Sequence, residues 1–272
     1  MDDDWQNRAD AVDREMAARG LPDEAVTALV HWWSENAGRY PDATPGAHAV
    51  RYTPARWADI TSWPAALAPR SSAGDAGISR AQVTSAVADA LGREAFTEAL
   101  VTTYVWGKGK RGTRGRSGPA ALEKILAADG LEKVLGEAVT TLRADGARRA
   151  YEVLLQPSNG LGPSFFTKFM YFAGQTVAPG RGLRPLILDR VLAVRMRTVA
   201  VQVGRDTGHD PDGSVAARVW ADGGWSPHRY EVYLAFMQAA SEQLKTVTGW
   251  PTDAAADLLE YALFTTHWNT PE

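Results

Sequence analysis

The segment that decides the fold runs from Leu154 to Phe169 and reads LLQPSNGLGPSFFTKF. It predicts the end of one helix, a tight turn on Gly160-Leu161-Gly162, and a second helix that begins near Pro163. Glycine permits positive φ and close backbone approach. The N–H groups in the first turn of the second helix point outward with the positive end of the helix dipole behind them, which suits a DNA phosphate. The alternative is an ordinary loop between two helices.

Helical periodicity extends outward from this segment over most of the chain. Apolar residues recur at three- and four-residue spacing in residues 5–19, 22–36, 79–91, 93–105, 119–128, 131–143, 145–155, 163–174, 190–201, 227–246 and 252–264. The proline-rich residues 40–77 and the polar residues 203–214 are not predicted as helix, and no alternating strands flank a tight turn. The sequence therefore predicts an all-α fold.

A second informative segment, residues 184–192, reads RPLILDRVL. Its Asp189 is the only acidic residue between Val153 and Arg205, a span that holds seven lysines and arginines. A carboxylate repels phosphate, so its presence in a cationic span requires a reason. Asp189 is a good candidate for the N-cap of the following helix. A catalytic carboxylate is the other interpretation, and the two roles are compatible.

Charge is distributed unevenly along the chain. Residues 1–98 carry a net charge of −6, residues 99–205 carry +10, and residues 206–272 carry −7, which together make −3. The basic middle contains residues 108–116, KGKRGTRGR, in which we expect phosphate contacts from Lys108, Lys110, Arg111 and Arg114. A solvated basic loop without a ligand is the alternative. Trp106, just ahead of this run, either packs in the core or stacks on a base.

Several classes of protein and site are excluded. The chain has no cysteine, which rules out disulfides, zinc–thiolate sites and iron–sulfur clusters. It has no apolar run long enough to cross a membrane, and its acidic start does not resemble a secretory signal, so we expect a cytoplasmic protein. The five histidines are scattered without metal-ligand spacing, and no metal site is predicted.

Together, the hairpin segment and Asp189 resemble the helix–hairpin–helix DNA glycosylase superfamily. Residues 104–112, YVWGKGKRG, look like the bacterial proteins that have an 8-oxoguanine-glycosylase fold. That group includes phage-defence glycosylases that remove glucosylated 5-hydroxymethylcytosine from viral DNA. The similarity covers roughly residues 100–200.

The resemblance implies roles for individual residues. Asp189 matches the essential aspartate, and Ser164 stands where bifunctional members have the lysine that forms a Schiff base, which implies a monofunctional enzyme without a cofactor. Lys168 lies one helical turn further on and is expected to contact phosphate, as are the hairpin residues. Phe165 and, if it does not pack in the core, Trp106 are the candidates for the base pocket. One departure is that Ser164 and Asp189 are 25 residues apart, a longer interval than is usual in the superfamily.

The predicted organisation is a helical region over residues 1–98 that packs against a glycosylase core over residues 99–272, with helices 227–264 packing back on the N-terminal region. The expected partner is double-stranded DNA, including phage DNA with modified bases, and the expected state is a monomer. Two alternatives stay open. One is a repair glycosylase for oxidised purines, and the other is a non-catalytic DNA-binding module, which would lose little on Asp189→Asn.

Overall fold

A computed structural model describes residues 3–110, 118–155 and 160–268. The described α-helices are α1 (Asp3–Arg19), α2 (Asp23–Asn36), α3 (Arg80–Gly92), α4 (Phe96–Lys108), α5 (Pro119–Leu126), α6 (Leu131–Asp145), α7 (Ala147–Leu154), α8 (Pro163–Thr176), α9 (Arg190–Thr207), α10 (Ser214–Val219), α11 (Pro227–Lys245) and α12 (Ala256–Thr265). Each predicted helical segment overlaps one of these helices, and the all-α prediction is confirmed. The short helix α10 and the last turns of α9 lie outside the predicted segments. None of the described helices has both the length and the apolar character needed to cross a membrane.

Local signals start several of these helices. Ser79 precedes α3 and forms a capping box, in which its Oγ accepts from the Gln82 N–H at 3.2 Å and the Gln82 Oε1 accepts from the Ser79 N–H at 2.8 Å. Ser226 caps α11, its Oγ accepting from the Arg229 N–H at 3.1 Å. Such caps depend on neighbours within three residues, which is why the sequence predicts them well.

The structure adds a small antiparallel sheet, which the sequence analysis did not predict. Strand β1 (Ala49–Tyr52) pairs with β2 (Ala76–Ser79), and Ala49 lies opposite Ser79. The connection runs from residue 53 to residue 75, so no tight turn marks the pair in the sequence. The prediction that residues 40–77 are not helical holds except for short 3₁₀ turns such as Pro54–Trp57.

Residues 1–45 and 188–272 form one compact unit. Within it, α1 packs against α9, α10 and α11, while α12 packs against α2, α9 and α11. A buried carboxylate joins two of these helices: Asp210 accepts from the N–H groups of Val215 and Ala216 at 3.1 and 2.9 Å, and Arg8 of α1 donates to it at 3.2 Å. The segment predicted as a polar loop therefore contains a fully buried structural acid.

Residues 46–187 form the second compact unit, and α8 is its central helix. α8 packs against α3, α4, α6 and α7, and every residue from Phe166 to Gly174 is buried. Trp106 of α4 is only 4% exposed and packs edge-on against Phe172 of α8. Arg80 of α3 lies between the rings of Trp106 and Tyr171, 5.2 Å from each centroid. A buried helix at the centre explains the aromatic content of residues 165–172.

The contacts group the chain differently from the predicted domains. The predicted boundary after residue 98 falls inside α4, and residues 1–45 belong with residues 188–272. Composition and charge along the chain suggested the boundary, whereas packing joins segments that are distant in sequence.

Candidate functional site

The predicted helix–hairpin–helix lies in the unit formed by residues 46–187. Helix α7 ends at Leu154 and α8 begins at Pro163, while residues 156–159 lie outside the described residues. Gly160 has a φ of +64°, a conformation that favours glycine, and Leu161 is buried. Tyr151 of α7 packs edge-on against Phe166 of α8, with ring centroids 4.7 Å apart. The two helices therefore pack against each other on the inner side of the turn, and Leu161 is buried as the Gly-Leu-Gly pattern predicts.

The outer side of the turn is the N-terminus of α8. Gly162 is the N-cap residue and has no side chain to satisfy the first N–H groups of the helix, and Pro163 occupies the first helical position. Gly160 and Gly162 are both exposed. Pro163 has no N–H and the Phe165 N–H donates to the Gly162 carbonyl oxygen at 2.9 Å, so this end of α8 offers a phosphate mainly the positive end of the helix dipole.

Ser164 and Lys168 lie one turn apart on α8, and the structure connects them directly. The Lys168 Nζ donates to the Ser164 carbonyl oxygen at 2.7 Å. The lysine is only 7% exposed, and its stem lies against Gly107, where a Cβ would clash with Lys168 Cδ. A phosphate contact requires an exposed amine, so this placement differs from the one expected for Lys168. The physical reason is that α8 is the central helix and is buried from Phe166 to Gly174.

The two predicted pocket residues lie in different environments. Phe165 is half-buried and stacks on Tyr104 of α4, with ring centroids 4.1 Å apart and planes 16° apart. Burial raises the pKa of Tyr104, whose ring supports Phe165, to about 12. Trp106, by contrast, is enclosed by Arg80, Phe172 and His48, which makes it a core residue and leaves no ring face for a base. Phe165 is thus the more exposed of the two rings, and the Lys168 Nζ lies 5.8 Å from its centroid.

Asp189 lies in the other unit, at the N-terminus of α9. Its Oδ1 accepts from the N–H groups of Val191 and Leu192 at 3.0 and 3.2 Å, so the side chain is the N-cap of the helix. The apolar residues before it, Leu186 to Leu188, are buried and anchor the chain. A half-buried carboxylate is therefore held in one orientation by backbone groups on one side and by a buried segment on the other.

The charges around α9 differ from those that the sequence indicates. Asp189 stands alone along the chain, but Asp222 forms ion pairs with Arg190 and Arg197 at 3.6 and 3.4 Å. Arg195 is buried, and it donates to the Leu263 carbonyl oxygen at 3.2 Å. The acidic C-terminal quarter of the chain supplies a carboxylate to this basic helix, which a count along the sequence does not reveal.

The basic run begins at the C-terminus of α4. Lys108 is the last residue of the helix, and Lys110 is exposed and forms an ion pair with Asp75 at 2.6 Å. Arg111 and Arg114 lie outside the described residues. Burial, followed by the charge of Arg56, lowers the pKa of Lys108. Since α4 also contributes Tyr104 and packs on α8, the structure brings the start of the basic run and the second hairpin helix onto neighbouring elements.

Among the described residues, one group has the donor types and spacing to hold a metal ion. Asp10, Asp13 and His228 place ligand atoms within 4.8 Å of one another. The Arg229 guanidinium, however, already pairs with Asp13 Oδ1 at 2.6 Å and would compete with a cation. Burial raises the pKa of Asp13 and outweighs the opposite effect of Arg229. The histidine spacing gave no sign of this cluster because its members come from α1 and α11.

Comparison with known proteins connects these features. No curated protein sequence and no solved structure matches the chain. A family model described as "Putative 8-oxoguanine DNA glycosylase OGG-like protein" matches residues 43–264, which include the hairpin, the start of the basic run and Asp189. The match confirms the resemblance to the glycosylase superfamily, while the phage-defence subgroup stays a prediction. Because it spans most of the 272 residues, the chain belongs to the family of 8-oxoguanine DNA glycosylase OGG-like proteins.

Proposed function

We propose that this protein is a monofunctional DNA glycosylase that hydrolyses the N-glycosidic bond of a modified base and leaves an abasic site. The observation that carries the proposal is the oriented carboxylate of Asp189 at the N-terminus of α9, in a chain whose family is that of 8-oxoguanine-glycosylase-like proteins. The hairpin at Gly160–Gly162 supports the same assignment, because its exposed backbone suits a duplex phosphate.

The chemistry requires a fixed negative charge. Breaking an N-glycosidic bond builds oxocarbenium character on the sugar, as in glycoside hydrolysis. A carboxylate near that carbon stabilises the developing positive charge and orients or deprotonates the attacking water. The two N–H groups that hold Asp189 limit its motion, so little reorganisation is needed when the charge develops.

The base has to leave the helical stack before the bond can break. Extrusion costs a few kcal/mol, which binding to the phosphate backbone offsets. Phe165 offers a flat ring that is supported from behind by Tyr104, and stacking on such a ring would hold an extruded base. This role for Phe165 is part of the proposal.

The monofunctional assignment rests on Ser164 and Lys168. A hydroxyl cannot form an imine with the sugar, so Ser164 excludes a lyase reaction at the position that matches the family lysine. The nearest amine along α8 is Lys168, which is buried and donates to the Ser164 carbonyl oxygen. A nucleophile has to reach the sugar C1′, and a lysine held in this way does not extend toward solvent.

For the substrate, we propose glucosylated 5-hydroxymethylcytosine in phage DNA. The support is the likeness of residues 104–112 to bacterial proteins that include phage-defence glycosylases. The family description favours a second candidate, an oxidised purine of the 8-oxoguanine type. Both substrates use the same catalytic carboxylate and differ only in the base.

Incubation with defined duplexes tests both the activity and the substrate. Matched duplexes carry glucosylated 5-hydroxymethylcytosine, 5-hydroxymethylcytosine, 8-oxoguanine or only ordinary bases, and mass spectrometry identifies the released base. We expect release of the glucosylated base, no strand cleavage before alkali, and no release by Asp189→Asn. Release of 8-oxoguanine alone would show that the substrate is an oxidised purine and not glucosylated 5-hydroxymethylcytosine. Duplex binding without release of any of these bases would favour a DNA-binding module.

A further inference from the structure

The β1–β2 sheet, which no alternating pattern in the sequence reveals, places two further arginines beside the basic run. Gly109 has a φ of +54°, and a Cβ at this position would come within 2.7 Å of Val50 Cγ1 in β1. The chain leaving α4 therefore packs directly against β1. Lys108 and Lys110 flank Gly109, so this contact places them beside the strand that carries Arg51, and the 3₁₀ turn that follows β1 carries Arg56.

One carboxylate organises part of this group. Asp75 Oδ2 lies 2.6 Å from Lys110 Nζ and 3.5 Å from Arg51 Nη2, while Thr53 Oγ1 donates to Asp75 Oδ1 at 2.7 Å. The side chain of Asp75 is 14% exposed, but those of Lys110 and Arg51 are 55% and 75% exposed. The carboxylate of Asp75 is thus largely covered by protein, whereas the charged groups of Lys110 and Arg51 face solvent.

The other two cations lie on neighbouring elements. Trp57, next to Arg56 in the 3₁₀ turn, packs edge-on against Tyr104 of α4 with ring centroids 6.2 Å apart, and Lys108 lies one helical turn beyond Tyr104. Arg56 is exposed, and its charge adds to burial in lowering the pKa of Lys108. Cations that lie close together attract an anion more strongly than either does alone. Duplex DNA supplies about one negative charge per 1.7 Å of its axis, so it neutralises a cluster of this kind.

We propose that these four residues form a phosphate-binding surface for the backbone of duplex DNA and that Asp75 competes with phosphate for two of them. The β1 basic surface consists of Arg51, Arg56, Lys108 and Lys110. This inference rests on the proposed glycosylase function and deepens it, since it adds two contacts from outside the basic run and a carboxylate that weakens non-specific binding.

The competition has a simple electrostatic basis. When DNA binds, phosphate oxygens replace Asp75 as the partners of Lys110 and Arg51, while the carboxylate remains close to the DNA and repels it. One charge about 6 Å from two phosphates in water at physiological salt changes affinity roughly threefold. A limit on the affinity for unmodified DNA helps an enzyme that searches long stretches of it, because weak non-specific binding lets the enzyme slide along the duplex and dissociate.

The first experiment measures the salt dependence of binding to an unmodified duplex. Arg51→Gln and Arg56→Gln should each flatten the slope of log K against log salt by about 0.9, and the double variant by about 1.8. Arg93→Gln is the matched control, because Arg93 pairs with Asp89 and Glu98 near the opposite end of α4, about 20 Å away. Unchanged slopes in a folded double variant would overturn the proposal.

The second experiment removes the competitor. Asp75→Asn retains an oxygen to accept from Thr53, and it should tighten binding to every duplex roughly threefold at physiological salt. Asp89→Asn, which removes a carboxylate from the Arg93 pair, should leave binding unchanged. Equal or weaker binding by Asp75→Asn, with the fold verified by circular dichroism, would show that Asp75 does not compete with phosphate.

Failure of the surface and failure of the function give different results. If the wild-type protein releases a modified base but the arginine variants bind as it does, the β1 basic surface is wrong and the glycosylase assignment stands. If the wild-type protein neither binds duplex DNA nor releases a base, the proposed function fails and this inference fails with it.

Discussion

Asp189 is the residue at which charge and structure can be separated experimentally. Its Oδ1 caps α9 through two backbone N–H groups, and asparagine is as good an N-cap as aspartate. Asp189→Asn therefore keeps the cap and removes the negative charge. Asp189→Ala removes both. Comparison of the two variants assigns any loss of activity to charge and any loss of stability to capping.

The expected magnitudes follow from the position of the carboxylate. For a half-buried charge about 4 Å from a developing cation, an effective dielectric constant near 20 gives about 4 kcal/mol, or a factor of roughly 1,000 in rate. Loss of an N-cap costs about 1 kcal/mol, which in a chain of this length corresponds to a melting temperature lower by about 2 °C. Asp189→Asn should thus lose activity without losing stability, and Asp189→Ala should lose both.

The assay is single-turnover release of the preferred base with enzyme in excess, so that DNA affinity does not limit the rate. Thermal unfolding and duplex binding are measured on the same preparations. A rate for Asp189→Asn within tenfold of the wild-type rate would refute the catalytic role. Equal melting temperatures for the alanine and asparagine variants would refute the argument that the cap stabilises α9.

Three further predictions concern other parts of the chain. Borohydride during the reaction should trap no protein–DNA adduct, whereas an adduct that disappears in Lys168→Ala would make the protein a bifunctional lyase. The second variant replaces four residues of the basic run, Lys108, Lys110, Arg111 and Arg114. It should bind all duplexes more weakly and flatten the salt slope by roughly one unit for each phosphate that it no longer binds. Unchanged binding, or a change for one sequence alone, would contradict this prediction. Arg229→Leu should cost about 3–5 kcal/mol at pH 7, because it leaves the buried Asp13 without its cation. Since burial already raises the pKa of Asp13, protonation in the folded state should reduce this cost as the pH falls toward 4, and a cost that grows on acidification would contradict the assignment.

Short-range signals account for the features that the sequence determined. Helix positions follow from apolar spacing. Helix starts follow from Ser79 and Asp189, whose partners lie within three residues, and from Pro163, whose ring fits the first helical position. The hairpin turn follows from Gly160-Leu161-Gly162, because glycine tolerates the positive φ and leucine supplies the buried contact. The two motifs on which the resemblance to the glycosylase superfamily rests are local in the same way.

Only the tertiary structure decided which charges are exposed and which residues are neighbours. Asp222 reaches Arg190 and Arg197, and Asp75 reaches Lys110, across 25 or more residues of chain. Lys168 looked like a surface lysine, yet its helix is central and buried. Coulomb energy and burial depend on distance in space, and the packing that sets those distances is a property of the whole chain, which no local segment of the sequence specifies.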